Sequence, residues 1–181
     1  MNSPLGLEIT KIYSNLSEYW DKEAKEIHRK GDHPIDFNGL YAVENHHNHL
    51  KLCDASGPAI ILAGSGMCTG GRIVDHLAKG IEDSTNDILF VGYQAAGTPG
   101  RAIQDYADKP GGYVYLDDDR KTINAKVHTL TGYSAHADQK GLVDWIASIP
   151  EKPGAIKLVH VEGSARSTLK DVLEKRGHTV Q

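Results

Sequence analysis

Three side chains that can hydrogen-bond or transfer protons, Ser134, His136 and Asp138, follow one another at two-residue spacing. The segment leaves a predicted strand and enters a predicted helix, so the hydroxyl, imidazole and carboxylate can be aimed at one point. There Ser134 can orient a phosphate, His136 can give a proton to a leaving oxygen, and Asp138 can hold the imidazole. The alternative is a helix N-cap made by Ser134 or Asp138, in which His136 takes no part.

A second candidate is His160, which ends the apolar run 156–159 and is followed by Glu162 just before another predicted helix. At the carboxyl end of a buried strand, a histidine is well placed to ligate a metal ion. It is equally well placed to be a hydrogen-bonded residue at the edge of the core, the commoner role of a single histidine. Both interpretations stay open on the residues alone.

The densest histidine cluster comprises His46, His47 and His49, with Cys53 close behind. Imidazole and thiolate are zinc ligands, and in a strand His47 and His49 would share a face. Glu44 is the one acid nearby, and this stretch has no second spaced pair of ligands. We therefore expect a solvated polar loop here rather than a metal site.

The glycine-rich segment 64–72 follows an apolar run and opens a predicted helix. Backbone N–H groups and the helix dipole at such a junction attract anions, and Arg72 adds positive charge. The alternative is that the glycines only allow a strand and a helix to pack closely. A Gly-Lys-Ser/Thr sequence is missing and the dinucleotide fingerprint is incomplete, which disfavours a nucleotide cofactor. The candidate phosphate-binding residues are Ser65, Gly66, Thr69, Gly70, Gly71 and Arg72.

A second loop, 97–101, repeats this arrangement and again places an arginine, Arg101, in the first turn of a helix. Arginines presented from two neighbouring loops can clamp a phosphodiester backbone, even on a protein of net negative charge. The pair of loops therefore favours phosphate binding over glycines that serve packing alone.

Apolar runs that alternate with helical patterns position these loops, which predicts an α/β fold with a mainly parallel sheet. In such a sheet the loops that leave the strands line the ligand site. A long amino-terminal helix precedes this region, and a hairpin joined by residues 117–119 follows it. The predicted strands are 59–63, 88–91, 113–116, 123–130 and 155–161, and the predicted helices are 4–30, 72–79, 101–106, 139–148 and 164–175.

Composition limits the class of protein. The 181 residues carry a net charge of −4, with 39% hydrophobic and 24% charged residues, as expected of a soluble globular chain. The two cysteines cannot build a disulfide framework, and no stretch approaches the about 20 apolar residues needed to cross a bilayer. We therefore expect no disorder, no basic nucleic-acid-binding tail and no membrane partner. We expect a cytoplasmic location.

In their order along the chain these motifs resemble those of the β-CASP family of metallo-β-lactamase-fold nucleases, which includes the endonuclease of pre-mRNA 3′-end processing and RNase J. The resemblance covers nearly the whole chain. Two departures are Asn2, where the family has Asp, and Val161, where it has Gly. The segments that carry it are Ser3-Pro4-Leu5, Ser65-Gly66-Met67, Thr69-Gly70-Gly71-Arg72, Gly97-Thr98-Pro99-Gly100-Arg101, Ser134-Ala135-His136-Ala137-Asp138 and Leu158-Val159-His160-Val161-Glu162.

The resemblance implies a Rossmann-like β-CASP cap with a mainly parallel sheet over residues 1–127. Residues 128–181 would be the C-terminal segment of a metallo-β-lactamase αββα domain whose N-terminal half is absent. In the family, two zinc ions activate a hydroxide that attacks an RNA phosphodiester. His136 is then the general acid, and Asp138 is the second catalytic residue. His160 is a zinc ligand backed by Glu162, and Ser134, the 65–72 loop and Arg101 contact phosphate.

The family's main zinc signature, His-x-His-x-Asp-His, has no counterpart here, since His47 and His49 match only its first two histidines. We therefore expect the C-terminal part of a zinc-dependent endoribonuclease, inactive as the isolated chain and unable to fill two zinc sites by itself. The expected partners are single-stranded RNA and the missing N-terminal metallo-β-lactamase half, and a homodimer stays open. The alternative function is a non-catalytic RNA-binding or interaction module.

Overall fold

The computed structural model of the chain describes residues 1–133, 136–161 and 163–181. It divides into two compact units, Met1–Tyr133 and Ser134–Gln181. No helix in the described residues is both long and apolar enough to span a bilayer. The first unit contains α1 (Pro4–Asn15), α2 (Lys22–Arg29), α3 (His46–Cys53), α4 (Arg72–Gly80), β1 (Asp87–Phe90), α5 (Pro99–Tyr106), β2 (Tyr113–Leu116), β3 (Asp119–Thr122) and β4 (Lys126–Thr129), and the second contains α6 (Gln139–Ala147) and α7 (Gly163–Lys175).

The predicted α/β fold with parallel strands is confirmed in the first unit. β1 and β4 pair in parallel, with Ile88 opposite Val127. The chain between them forms α5 and the antiparallel pair β2–β3. A crossover of this kind is required because two parallel strands cannot be joined by a tight turn.

The predicted hairpin is wrong in its second strand. β2 pairs with β3, placing Leu116 opposite Asp119, and does not pair with the run 123–130. Asp117 and Asp118 form the two-residue turn with positive φ angles of 47° and 69°, the backbone that matches the twist of paired strands. The run 123–130 forms β4 instead, because its apolar residues pack on the core beside β1.

The core of the first unit is made by one face of α4 together with β1, α5 and the hairpin. Val74, Leu77 and Ile81 recur at three- and four-residue spacing, so a single helix face is buried. Because α4 and α5 pack on the same core, the loops that precede both helices are fixed to one body. The buried residues are Cys68, Val74, Leu77, Ile81, Phe90, Ile103, Val114, Leu116 and Ile123.

The predicted amino-terminal helix is wrong in its continuity, since the chain breaks between α1 and α2. A short 3-10 turn, Ser17–Tyr19, follows α1, and Asp21 then starts α2 by accepting the Ala24 amide at 2.8 Å. Trp20 is buried at the break, where its indole donates to the Tyr13 carbonyl at 3.0 Å. Capping by Asp21 and burial of Trp20 together outweigh the continuous helical pattern.

The apolar run 59–63, predicted as a buried strand, is extended backbone with exposed side chains, and Ile60 is 92% accessible. Its pairing within the described residues is one parallel bridge from Asn2 to Ala63, with the Asn2 amide donating to the Leu62 carbonyl at 2.7 Å. The prediction of burial is wrong because, with this single bridge, the side chains of Ile60, Ile61 and Leu62 stay exposed.

The second unit has its own small core between α6 and α7. The predicted strand 155–161 forms one parallel bridge there, from Ile156 to Val180. It is not a full strand within the described residues, because its partner is the short tail at the carboxyl terminus. The buried residues of this unit are Val143, Ile146, Leu173 and Val180.

Candidate nucleic-acid interface

The first glycine loop folds on itself ahead of α4. The Ser65 amide donates to the Gly70 carbonyl at 3.2 Å, and the Cys68 amide donates to the Ser65 carbonyl at 3.1 Å. These bonds bring the Ser65 and Thr69 hydroxyls to 3.1 Å from each other, where either can donate. Two hydroxyls are thereby placed on one loop beside a helix start.

The start of α4 keeps backbone donors available. No side chain caps this helix, and the amides of Gly70, Gly71 and Arg72 have no hydrogen-bond partner within residues 1–133, 136–161 and 163–181. Such unpaired N–H groups at a helix N-terminus, with the positive end of the helix dipole, bind anions. The arrangement suits a phosphate oxygen.

Gly71 is required by the backbone at this point. Its φ of 77° and ψ of −175° lie in a region that is essentially restricted to glycine. A Cβ atom here would lie 2.9 Å from the Gly64 carbonyl oxygen, closer than real Cβ contacts come. Gly71 therefore fixes the approach of the loop to α4.

The second loop supports the first. The Gly100 amide donates to the Met67 carbonyl at 3.1 Å, and the buried Gln94 side chain donates to the Gly66 carbonyl at 2.9 Å. Thr98 caps α5 by accepting the Arg101 amide at 3.3 Å. These amides at the start of α5 are used inside the protein, so the loop does not repeat the open helix start of α4.

Arg72 holds the amino terminus in place. Its Nη1 atom donates to Asn2 Oδ1 at 2.8 Å and to the Val43 carbonyl at 2.6 Å, and Nη2 reaches the Glu44 carbonyl at 3.3 Å. The guanidinium is therefore a positioning group for Asn2. Its charge also adds to the positive field at the start of α4.

Arg101 carries its charge on the surface of α5. Its Nε atom donates to both carboxylate oxygens of Asp105, at 3.0 and 3.1 Å, and 40% of its side chain is accessible. Exposed ion pairs of this kind contribute about 0–1 kcal/mol. A phosphate can therefore compete with Asp105 for Arg101 at low cost.

The segment around His136 combines exposure with helix capping. Asp138 is the N-cap of α6, and its Oδ1 atom accepts the Gly141 amide at 2.7 Å. His136 is exposed. Ser134 lies outside the described residues, so the convergence of the three side chains stays a prediction.

His160 is exposed and has a φ of 60°, an uncommon backbone for a residue other than glycine. Glu162, predicted to support it, lies outside the described residues. The role of His160 as a zinc ligand stays a prediction. Its other interpretation, a hydrogen-bonded residue at the edge of the core, also stays a prediction.

His49, predicted to lie in a solvated loop, is completely buried. The loop prediction is wrong because Asn45 caps a helix, accepting the Asn48 amide at 2.9 Å, and residues 46–53 form α3. A four-residue spacing then places His49 and Cys53 on the same helix face. His46 and His47 are exposed, as expected of that cluster.

Asn2 connects two imidazoles near α3 and α4. Its Oδ1 atom accepts from Arg72, so its Nδ2 group points to the histidines and donates to His49 Nδ1 and to His76 Nε2, each at 2.7 Å. Both imidazoles must then carry their proton on the opposite nitrogen. The direction of these hydrogen bonds therefore assigns the nitrogen that carries the proton in each imidazole.

The opposite nitrogens have acceptors of their own. His49 Nε2 donates to Asp75 Oδ2 at 2.7 Å, and His76 Nδ1 lies 3.5 Å from Cys53 Sγ. Burial and the neighbouring His49 lower the pKa of His76. Burial, with the charge of Asp75, raises the pKa of the Cys53 thiol. The sequence signal for this cluster was the spacing of His49 and Cys53, which only a helix brings together.

Residues 1–103 match the family model described as the Beta-Casp domain. The chain belongs to the Beta-Casp family. Residues 120–181 match the model of the Zn-dependent metallo-hydrolase RNA specificity domain. The predicted β-CASP family and the predicted α/β class are confirmed.

Curated relatives of this Beta-Casp chain include a ribonuclease and transcription termination factors. Ribonuclease TTHA0252 of Thermus thermophilus is 36% identical over 180 residues, which cover 99% of this chain and 40% of the relative. Transcription termination factor FttA of Methanocaldococcus jannaschii is 37% identical over 163 residues, covering 87% of this chain and 25% of the relative. FttA of Thermococcus kodakarensis is 34% identical over 176 residues, covering 93% and 26%. The chain therefore spans between a quarter and two fifths of the length of these relatives.

The Zn-dependent metallo-hydrolase model that matches residues 120–181 raises the question of which described residues could ligate zinc. Within them, the group of three ligand atoms that lie within 4.8 Å of one another comes from His49, Cys53 and His76. His136 and His160 belong to no such group there. The described residues therefore do not, by themselves, fit a catalytic zinc centre built on His160.

Proposed function

We propose that this chain is the RNA-binding, C-terminal part of a Beta-Casp metallo-hydrolase that cleaves RNA internally. The observation that carries the proposal is the start of α4, where the amides of Gly70, Gly71 and Arg72 lie beside the hydroxyl pair of Ser65 and Thr69. Such a set of donors suits a phosphate of the RNA backbone. The RNA specificity domain model that matches residues 120–181 supports RNA as the polymer.

Binding at this site needs no base recognition. One phosphate accepts from the amides at the start of α4, and a neighbouring phosphate takes the place of Asp105 on Arg101. Because the polymer binds through phosphates, the affinity falls as salt rises and depends little on sequence. Single-stranded RNA fits best, because its flexible backbone can follow two helix starts.

Cleavage requires more ligands than the described residues bring together. We assign to His136 the proton that the leaving oxygen receives, to Asp138 its orientation, and to Ser134 a contact with the scissile phosphate. His160, with Glu162 beside it, would serve as one ligand of a two-zinc site. The remaining ligands would come from a metallo-β-lactamase half outside this chain, and the isolated chain would bind RNA without cleaving it.

The second candidate function is a non-catalytic RNA-binding module. It is supported by the phosphate donors at the start of α4, which need no metal ion to bind RNA. Both candidates predict RNA binding at α4, so cleavage alone separates them.

Fluorescence anisotropy of a labelled single-stranded oligoribonucleotide tests the shared binding step. We expect Arg101→Gln to weaken binding about tenfold, and Asp105→Asn, which removes the carboxylate that competes with phosphate for Arg101, to strengthen it. Asp108→Asn is the matched control, because it makes the same charge change without touching the Arg101 pair. Equal effects of Asp105→Asn and Asp108→Asn would show that only net charge matters.

Cleavage is tested by adding, as a separate chain with Zn²⁺, the part of the Thermus ribonuclease that this chain does not match. Zinc-dependent cleavage that is lost in His136→Ala supports the enzyme. RNA binding without any cleavage in the reconstituted mixture supports the module. Failure of the isolated chain to bind RNA at low salt contradicts both functions.

A further inference from the structure

A thiol and two imidazoles meet where α3 packs against α4. We propose that Cys53, His49 and His76 form a mononuclear site for a zinc-type divalent cation, separate from the family's catalytic zinc. The cluster consists of His49 and Cys53 on α3 and His76 on α4. The proposal does not rest on the RNA function.

The distances within the cluster are those of a metal coordination shell. Cys53 Sγ lies 3.5 Å from His76 Nδ1 and 3.7 Å from His49 Nδ1. In a tetrahedral zinc site with bonds of typical length, a sulfur ligand and a nitrogen ligand lie about 3.6 Å apart. Cys53 Sγ lies almost as close to His49 Nε2, at 3.8 Å, and His49 Nδ1 now faces Asn2. The three ligand atoms all lie within 4.8 Å of one another, so a movement of the His49 ring away from Asn2 lets them close on one ion.

Asp75 supports His49 from behind. Its Oδ2 atom accepts from His49 Nε2 at 2.7 Å, which keeps the proton on Nε2 and leaves Nδ1 with a lone pair. A carboxylate that holds the far nitrogen of a ligating histidine is the common arrangement around protein-bound zinc. His49 is fully buried, and its position on a helix keeps this geometry in place.

Asn2 is the group with which a metal ion competes. Its Nδ2 atom now donates to His49 Nδ1 and to His76 Nε2, each at 2.7 Å. When a metal takes His49 Nδ1 and His76 Nδ1, the proton of His76 moves to Nε2. The Asn2 carboxamide must then turn, so that its oxygen accepts that proton. An aspartate at this position accepts it without turning, so Asn2→Asp should strengthen metal binding.

The site is tested by titrating the reduced, chelator-treated chain with Co²⁺. We expect one equivalent to bind with a thiolate-to-cobalt charge-transfer band and the visible bands of a tetrahedral ion, and Zn²⁺ to displace it. Cys53→Ser should abolish the charge-transfer band, and His76→Asn should weaken binding at least tenfold. Asn2→Asp should strengthen it by about tenfold, the scale on which groups behind metal ligands act.

Cys68→Ala is the matched control, because Cys68 is the chain's other thiol and lies in the hydrophobic core outside the cluster. Its charge-transfer band should equal that of the unchanged protein. Circular dichroism of each variant confirms that the helices are intact. The proposal is overturned if no cobalt binds, if the band survives Cys53→Ser, or if it disappears in Cys68→Ala. An Asn2→Asp variant that binds no more tightly than the unchanged protein also contradicts it.

Discussion

Replacing Gly71 by alanine tests the geometry of the phosphate loop most sharply. An L-residue held at this φ and ψ costs about 1–3 kcal/mol. The added Cβ would also lie 2.9 Å from the Gly64 carbonyl oxygen and 3.4 Å from the Ser65 amide nitrogen. Both are backbone atoms of the same loop, so relief of the contact must open it. We expect Gly71→Ala to lower the free energy of unfolding of the first unit by about 2–4 kcal/mol.

Gly70→Ala is the matched control in the same loop. A Cβ at Gly70 meets no atom within 4 Å, and its φ lies outside the left-handed region. The change should therefore be neutral or stabilise by about 0.4–1 kcal/mol through the unfolded chain. The comparison isolates the backbone requirement at Gly71 from the general effect of replacing glycine by alanine.

Urea unfolding followed by tryptophan fluorescence measures the difference. Trp20 is buried in the first unit, whereas Trp145 is exposed in the second. In a Trp145→Phe background the signal reports on the first unit alone. If Gly71→Ala and Gly70→Ala unfold at the same urea concentration, the strained loop described around Gly71 is refuted.

Three further predictions concern single side chains. Asp138→Ala removes the cap of α6 and should cost about 1 kcal/mol in urea unfolding followed by Trp145; an unchanged midpoint would mean that the cap contributes nothing. Burial and His49 hold the pKa of His76 below 6.5, so the unfolded chain takes up this proton first as the pH falls. The free energy of unfolding should be highest above about pH 6.5 and should fall below that pH. Between about pH 6.5 and pH 5.5 the urea midpoint should fall less in His76→Asn than in the unchanged protein. Burial raises the pKa of the Cys68 thiol to about 11. Iodoacetamide should therefore label Cys53 before Cys68 in the native protein. Equal labelling of the two thiols, measured by mass spectrometry, would contradict this.

The local signals in the middle of the chain were strong enough to predict most of its elements. α4 and β1 occur within a residue of their predicted bounds, and α5 includes its predicted range. Glycine loops, apolar runs and helix starts are encoded by neighbouring residues, which is why they can be read from sequence. The strand that pairs with β2 could not be predicted in this way, because the choice between residues 119–122 and 123–130 depends on burial against β1.

Other features depend on contacts between distant residues. His49 is buried because Asn2 and Asp75, remote in sequence, supply its hydrogen bonds. No local pattern around the histidine cluster signals these partners. The run 59–63 has the composition of a buried strand, and its exposure reflects which segments lie beside it. Composition predicts the tendency to be buried, but the neighbouring chain decides it.

The backbone amides at the start of α4 are proposed to bind RNA phosphate. Nuclear magnetic resonance of the ¹⁵N-labelled chain measures this directly during titration with a single-stranded oligoribonucleotide. We predict that the amide signals of Gly70, Gly71 and Arg72 shift the most and return when salt is raised. RNA binding that shifts other amides and leaves these three unchanged would contradict the account.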